Sequence, residues 1–169
     1  MIVLGIDPGT AVTGYGVVRD RGMRAAGGAE LLECGVIRTQ PSQPLASRLA
    51  DIYEGVRELI ERHRPQAIAV EGVFYARNVR TTVVLGHARG VVLLAGHQAG
   101  LAIHEYPPSD IKKAVTGSGS ATKEQVQFMV MKLLRLKSAP QPADAADGVA
   151  AALTCVLRAN LTRLLEGAR

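Results

Sequence analysis

Residues 1–10 read MIVLGIDPGT. Ile2, Val3, Leu4 and Ile6 make a nearly unbroken apolar run of the kind that fills a strand buried on both faces, yet the run closes on Asp7. A buried carboxylate is costly unless something compensates it: a proton, a cationic side chain, backbone donors or a metal ion. Which of these meets Asp7 decides the chemistry.

Two further strand-like runs follow, TGYGVVR at 13–19 and ELLECGVIR at 30–38, separated by DPGT and by the Gly-rich RDRGMRAAGG, and three strands in a row predict an antiparallel meander. The period then changes. In PLASRLADIYEGVRELIERH, Leu45, Leu49, Ile52, Val56 and Leu59 recur at three and four while Arg48, Asp51, Glu54, Arg57, Glu58 and Glu61 face water, which predicts an amphipathic helix. After Pro65 a short apolar run, AIAVEG, again ends on an acid, Glu71. A small-residue helix over roughly 79–98, a strand near LAIHEY, a helix beginning near Asp110 and another capped by Thr122 with Gln125 three residues on come next. The last helix starts near PADAAD and runs to about Leu164. This order predicts an α/β fold, a mixed five-stranded sheet with helices on both faces, in a single domain spanning 1–169. If the first and fourth strands are parallel neighbours, Asp7 and Glu71 share the edge where α/β sheets place their ligands.

The chain is 47% apolar, enough for a core without staples, and its 20 basic residues against 15 acidic give a formal charge of +5, which points toward a polyanionic partner. Cys34 and Cys155 stand far apart in apolar stretches with no metal-ligand spacing, as small core residues of a reduced protein. No secretory leader and no 18-residue apolar span is expected, so the expected location is cytoplasmic, with no membrane partner.

Asp144 and Asp147 in QPADAADG lie three apart at a helix start and project from one face. Capping alone would explain Asp144 but explains Asp147 less well. Asp7, Glu71, Asp144 and Asp147 together would bring four negative charges to one place with no obvious basic partner beside them. Hard oxygen ligands without His or Cys select Mg²⁺ or Mn²⁺, and two such ions balance four carboxylates. The chemistry expected of a pair of ions there is phosphodiester hydrolysis.

GIDPGTAVTGYGVV, VEGVF, LGHARG, IKKAVTGSGSATKEQV and ADAADG resemble, in order, the motifs of the RuvC-type Holliday junction resolvases, over almost the whole chain. The resemblance implies an RNase H-like fold, a homodimer, and symmetric Mg²⁺-dependent nicking of four-way DNA junctions, leaving 5′-phosphate ends, in recombination and repair. Two Mg²⁺ per site are implied, with Mn²⁺ able to substitute. The family's catalytic acids fall on Asp7, Glu71, Asp144 and Asp147, and branch-migration proteins RuvA and RuvB are implied as partners.

Phe74 and Tyr75 are two of the chain's two Phe and four Tyr, and Arg77, Asn78 and Arg80 follow them closely. Exposed aromatics beside a cleaved strand stack on unpaired bases while arginines hold phosphates. Phe74 could equally fill core, but the resemblance implies that it contacts bases at the junction. Lys112 and Lys123 bracket VTGSGSAT, and the resemblance places them on DNA near the scissile phosphate, with Lys123 also in the catalytic set. Lys113 is expected to add to the DNA-binding field, as are Lys132, Arg135 and Lys137. GSGSATK lacks the Gly that a P-loop needs before its Lys, since Thr122 stands there.

The small residues Gly86, Ala88 and Gly90 permit close approach of another element, and the helix carrying them is expected at a twofold interface suited to a junction that needs two cuts. His87 beside them reads as an interface or core histidine. Two rivals remain. GIDPGT also resembles the first phosphate loop of the actin, Hsp70 and sugar-kinase ATPases, which need a second lobe. A ribonuclease of the same fold acting on RNA–DNA hybrids would share the acids but require neither VTGSGSATK nor a dimer.

Overall fold

The structure is a computed structural model and describes residues 1–22, 28–72 and 79–167. Its elements run β1 (Ile2–Asp7), β2 (Val12–Asp20), β3 (Ala29–Arg38), α1 (Leu45–His63), β4 (Ala67–Glu71), α2 (Val79–Gln98), β5 (Ala102–Tyr106), α3 (Pro108–Thr116), α4 (Lys123–Leu133) and α5 (Ala143–Gly167). One five-stranded sheet has the order β3-β2-β1-β4-β5. β1 and β2 pair antiparallel, as do β2 and β3, whereas β1 with β4 and β4 with β5 are parallel. The mixed sheet with cover on both faces is the one predicted.

Alternation along β1 assigns its residues to two cores. Leu4 and Ile6 join Val17, Ile68 and Val70 in a cluster closed by Ile52 and Val56 of α1 and by Ala88 and Val92 of α2. Val3 points the other way, into a cluster with Ala67, Ala69 and the helices α3, α4 and α5. Because side chains alternate, Asp7 shares the Val3 face and Glu71 shares the Ala69 face. Both acids therefore emerge on the α5 side of the sheet.

Strand glycines let α5 come close. A Cβ on Gly14 would stand 1.9 Å from the Asp144 carbonyl oxygen, and one on Gly148 would stand 2.6 Å from Tyr15 Cα. No side chain fits in either gap, so backbone rests on backbone and the first turn of α5 is held over the end of β1. α5 is itself apolar on nearly every side, with Val149, Leu153 and Val156 fully or almost fully buried.

Two expectations change here. α5 is long and apolar enough by composition to cross a membrane, contrary to the prediction that no such span exists. Most of its apolar residues are accounted for by the core, since it lies between the sheet and the α3–α4 pair. The helix expected near Asp110 begins at Pro108, with Pro107 as N-cap, because a proline at the first helical position loses no hydrogen bond. The α4 start is as read: Thr122 Oγ1 accepts from Gln125 N at 3.3 Å and Gln125 Oε1 accepts from Thr122 N at 2.9 Å.

Candidate active site

β1 and β4 run side by side, with Ile6 opposite Val70, so the next residues, Asp7 and Glu71, leave the sheet together. α5 brings Asp144 and Asp147 over them, and carboxylate oxygens of Asp7, Asp144 and Asp147 lie within 4.8 Å of one another. Glu71 is outside that triplet but borders the same cleft of about 290 Å³, lined by Asp7, Asp147, Ile111, Lys112, Lys123 and Val126 among others. A second depression of about 290 Å³ beside Leu133, Leu157 and Leu161 has no titratable lining side chain and offers no chemistry.

The cleft strains its own charges. Burial first, then the negative charges of Asp147 and Asp144, push the Asp7 carboxyl up to about 7, against the opposing pull of Lys123. Burial and the charges of Asp7 and Asp147 push Glu71 up to about 8, opposed by Lys123 and Lys112. Lys123 donates to Asp147 Oδ2 at 2.7 Å. That hydrogen bond raises the ammonium above its ordinary range, although burial works the other way.

The ion pair corrects the reading that no acid has a basic partner. Lys123 is the first residue of α4, where the helix dipole disfavours a cation, and the capping box locks that turn in place. A single ammonium cannot balance four carboxylates, and two of them are held near neutrality instead. An all-oxygen donor set without His or Cys, crowded enough to resist ionising, fits hard divalent cations.

Lys112 lines the cleft, whereas Lys113 borders a different depression with Asp110 and Arg158. Arg80 sits exposed in the first turn of α2. Phe74, Tyr75, Arg77 and Asn78 lie outside the described residues. His87 is exposed on α2 and so is not a core histidine. Lys132 stands 5.3 Å over the exposed Phe128 ring, away from the cleft lining. Cys34 and Cys155 are free thiols, both pushed up by burial and hence poor nucleophiles.

The sequence reading missed the glycines as placement devices, although Gly14 and Gly16 at alternate strand positions signal one bare sheet face. It also assigned Arg48 to solvent, when the guanidinium reaches Thr10 in the loop after Asp7 and Thr39 just after β3.

Residues 3–155 match the family model "Crossover junction endodeoxyribonuclease RuvC". A protein of that name from Pelotomaculum thermopropionicum is 49% identical over 153 residues, covering 90% of this chain and 91% of the relative. The Halorhodospira halophila protein is 48% identical over 169 residues, covering 99% and 98%. A Thermus thermophilus RuvC structure superposes with TM-score 0.88 at 41% identity, covering 96% of this chain and 97% of that one. With sheet order, acidic cleft and overall sequence in agreement, the chain belongs to the RuvC family of crossover junction endodeoxyribonucleases.

Proposed function

We infer that this protein is a structure-selective endonuclease that resolves four-way DNA junctions by paired nicks. The observation that carries the reading is the convergence of Asp7, Asp144 and Asp147 within 4.8 Å, in a cleft also lined by Glu71, Lys112 and Lys123. Thermus thermophilus RuvC, 40% identical with TM-score 0.88, has been solved in complex with Holliday junction substrate, which supports the same substrate class here.

Asp7, Glu71, Asp144 and Asp147 would hold divalent ions, Mg²⁺ with Mn²⁺ as a substitute. Ions held by these four carboxylates would supply water activation and charge neutralisation at the leaving oxygen. Lys112 holds a phosphate at the cleft wall, and Lys123, drawn toward incoming DNA, stabilises charge as it builds on the phosphorane oxygens. Water adds to phosphorus, the bond to the 3′ oxygen breaks, and the products are a 3′-hydroxyl and a ligatable 5′-phosphate. Phe74 and Tyr75 stack on bases unpaired at the crossover, while Arg77, Asn78 and Arg80 follow the backbone. The hybrid-cleaving reading loses ground because the family match runs through VTGSGSATK and α2.

Two cuts need two sites. On α2, Val79 is 77% exposed, Val83 53% and Leu94 49%, and a Cβ on Gly86 or Gly90 meets nothing within 4 Å. At spacings of three and four these residues form one bare stripe, the pattern of a helix that a second copy covers. Gly90→Leu is expected to keep or raise the stability of the monomer, by about 1 kcal/mol of helix propensity, while sedimentation shifts from dimer to monomer. An unchanged dimer would place the interface elsewhere.

The function is tested with purified protein on a mobile four-way junction and on linear duplex, with and without Mg²⁺. Symmetric nicks on the junction alone, dependent on the metal and bearing 5′-phosphates, are expected. Equal cutting of linear duplex would remove structure selectivity, and ATP hydrolysis without cleavage would favour the kinase-like rival.

A further inference from the structure

The four residues that follow Asp7 are gripped from several sides. Thr13 Oγ1 donates to Gly9 O at 2.7 Å, and Thr39 N donates to Ala11 O at 3.1 Å. Between them, the Thr10 carbonyl oxygen accepts from Thr39 Oγ1 and from Arg48 Nη2, the latter at 2.7 Å. Arg48 Nε donates at 3.0 Å to the same Thr39 hydroxyl. The guanidinium thus forks across a hydroxyl and a main-chain carbonyl, an ordered arrangement for a side chain with so much rotamer freedom to lose. Among the described residues it makes no ion pair with a carboxylate, so the attraction of an opposite charge does not account for its placement.

Topology gives the fork a purpose. β3 lies antiparallel to β2, which lies antiparallel to β1, so β3 ends on the edge where β1 delivers Asp7. The chain turns there through Thr39 into α1, whose first turn carries Arg48. α1 packs on the sheet face opposite α5, so Asp144 and Asp147 approach Asp7 from one side while Arg48 secures its loop from the other. Thr10 is three residues from Asp7, and an acid that shares ions with its neighbours tolerates little displacement.

We propose that Arg48 is a positioning residue for junction nicking, acting through Thr39 and the Thr10 carbonyl on the loop into which Asp7 leads. The inference rests on the nuclease reading. It implies that the guanidinium works on the placement of Asp7 rather than on the grip on DNA.

Arg48→Ala, Thr39→Val and the double variant are compared with wild type for thermal unfolding, junction affinity and single-turnover nicking rate over a Mg²⁺ titration. Each single variant is expected to nick about 10-fold or more slowly, to require more Mg²⁺, and to bind the junction within about twofold of wild type. Because both act through one oxygen, the double variant should lose no more than the larger single loss. Weaker junction binding at an unchanged nicking rate would show that Arg48 grips DNA directly and would overturn the proposal. Nicking losses that merely follow the unfolded fraction, or that multiply in the double variant, would overturn it too. If Thr39→Val alone folds, its rate against wild type decides in the same way. A wild type that binds junctions without nicking them would instead remove the nuclease reading on which the proposal stands.

Discussion

Asp7→Asn is expected to lower junction nicking by on the order of 10³-fold while junction binding persists or tightens. The substitution keeps the shape of the side chain and removes one anionic oxygen from the triplet that Asp7 forms with Asp144 and Asp147. What is lost is a hard ligand at the point where β1 and α5 meet, and an amide oxygen replaces it poorly. What is kept is the fold, because Asn in that place buries no charge. Lys112 and Lys123 remain on the cleft wall, and one negative charge fewer faces the DNA phosphates. Gel shifts in metal-free buffer and single-turnover nicking in Mg²⁺ separate the two effects. Nicking near the wild-type rate would take Asp7 out of the chemistry.

The strands that carry Asp7 and Glu71 were legible because a strand covered on both faces is a plain apolar run, and an acid ending such a run is conspicuous. The parallel pairing of β1 with β4 stands in the sequence only as a condition, because β2, β3 and α1 intervene and nothing local fixes which earlier strand β4 joins. The capping box was legible because it is a local device, closed within four residues. Choices among distant partners were not. Nothing local says that Lys123, rather than Lys113, turns toward Asp147, since that depends on which way α4 leaves the loop. Arg48 falls on the polar side of an amphipathic pattern, where most arginines face water, and only the close approach of the end of β3 turns it inward. Gly14 and Gly16 mark a bare sheet face in the sequence, but that α5 is the element that fills it appears only once β2 and α5 are stacked.

Without divalent metal, the protein is expected to lose stability as pH rises from about 5 to 8, and Asp7→Asn to lose less, with the remaining fall carried by Glu71, which burial still pushes up. Asp7 is pushed up to about 7 and Glu71 to about 8, by burial first and by neighbouring carboxylates second, while in the unfolded chain each titrates near 4. Between those limits the native state holds more protons than the unfolded one, so unfolding releases them and stability falls with pH. Asp7 and Glu71 act on each other as they ionise, so the fall is shared between these two, on the order of 3 kcal/mol in all, or about 6–12 °C in a chain of this size. Glu33 acts in another window. Although partial burial pushes it up, hydrogen bonds from His63, Tyr15 and Arg62 hold it below the ordinary carboxylate range, so its contribution is present above pH about 4 and is lost only in more acid solution. Mg²⁺ should restore stability, and restore more at pH 8 than at pH 5, because cations compete with protons for the same oxygens. Thermal unfolding of wild type and Asp7→Asn, in chelator and in Mg²⁺ across this range, measures both slopes, and the difference between the proteins cancels every group outside the cleft. Parallel slopes would mean that the cleft tolerates its charges without help, and the case for metal at Asp7 would go with them.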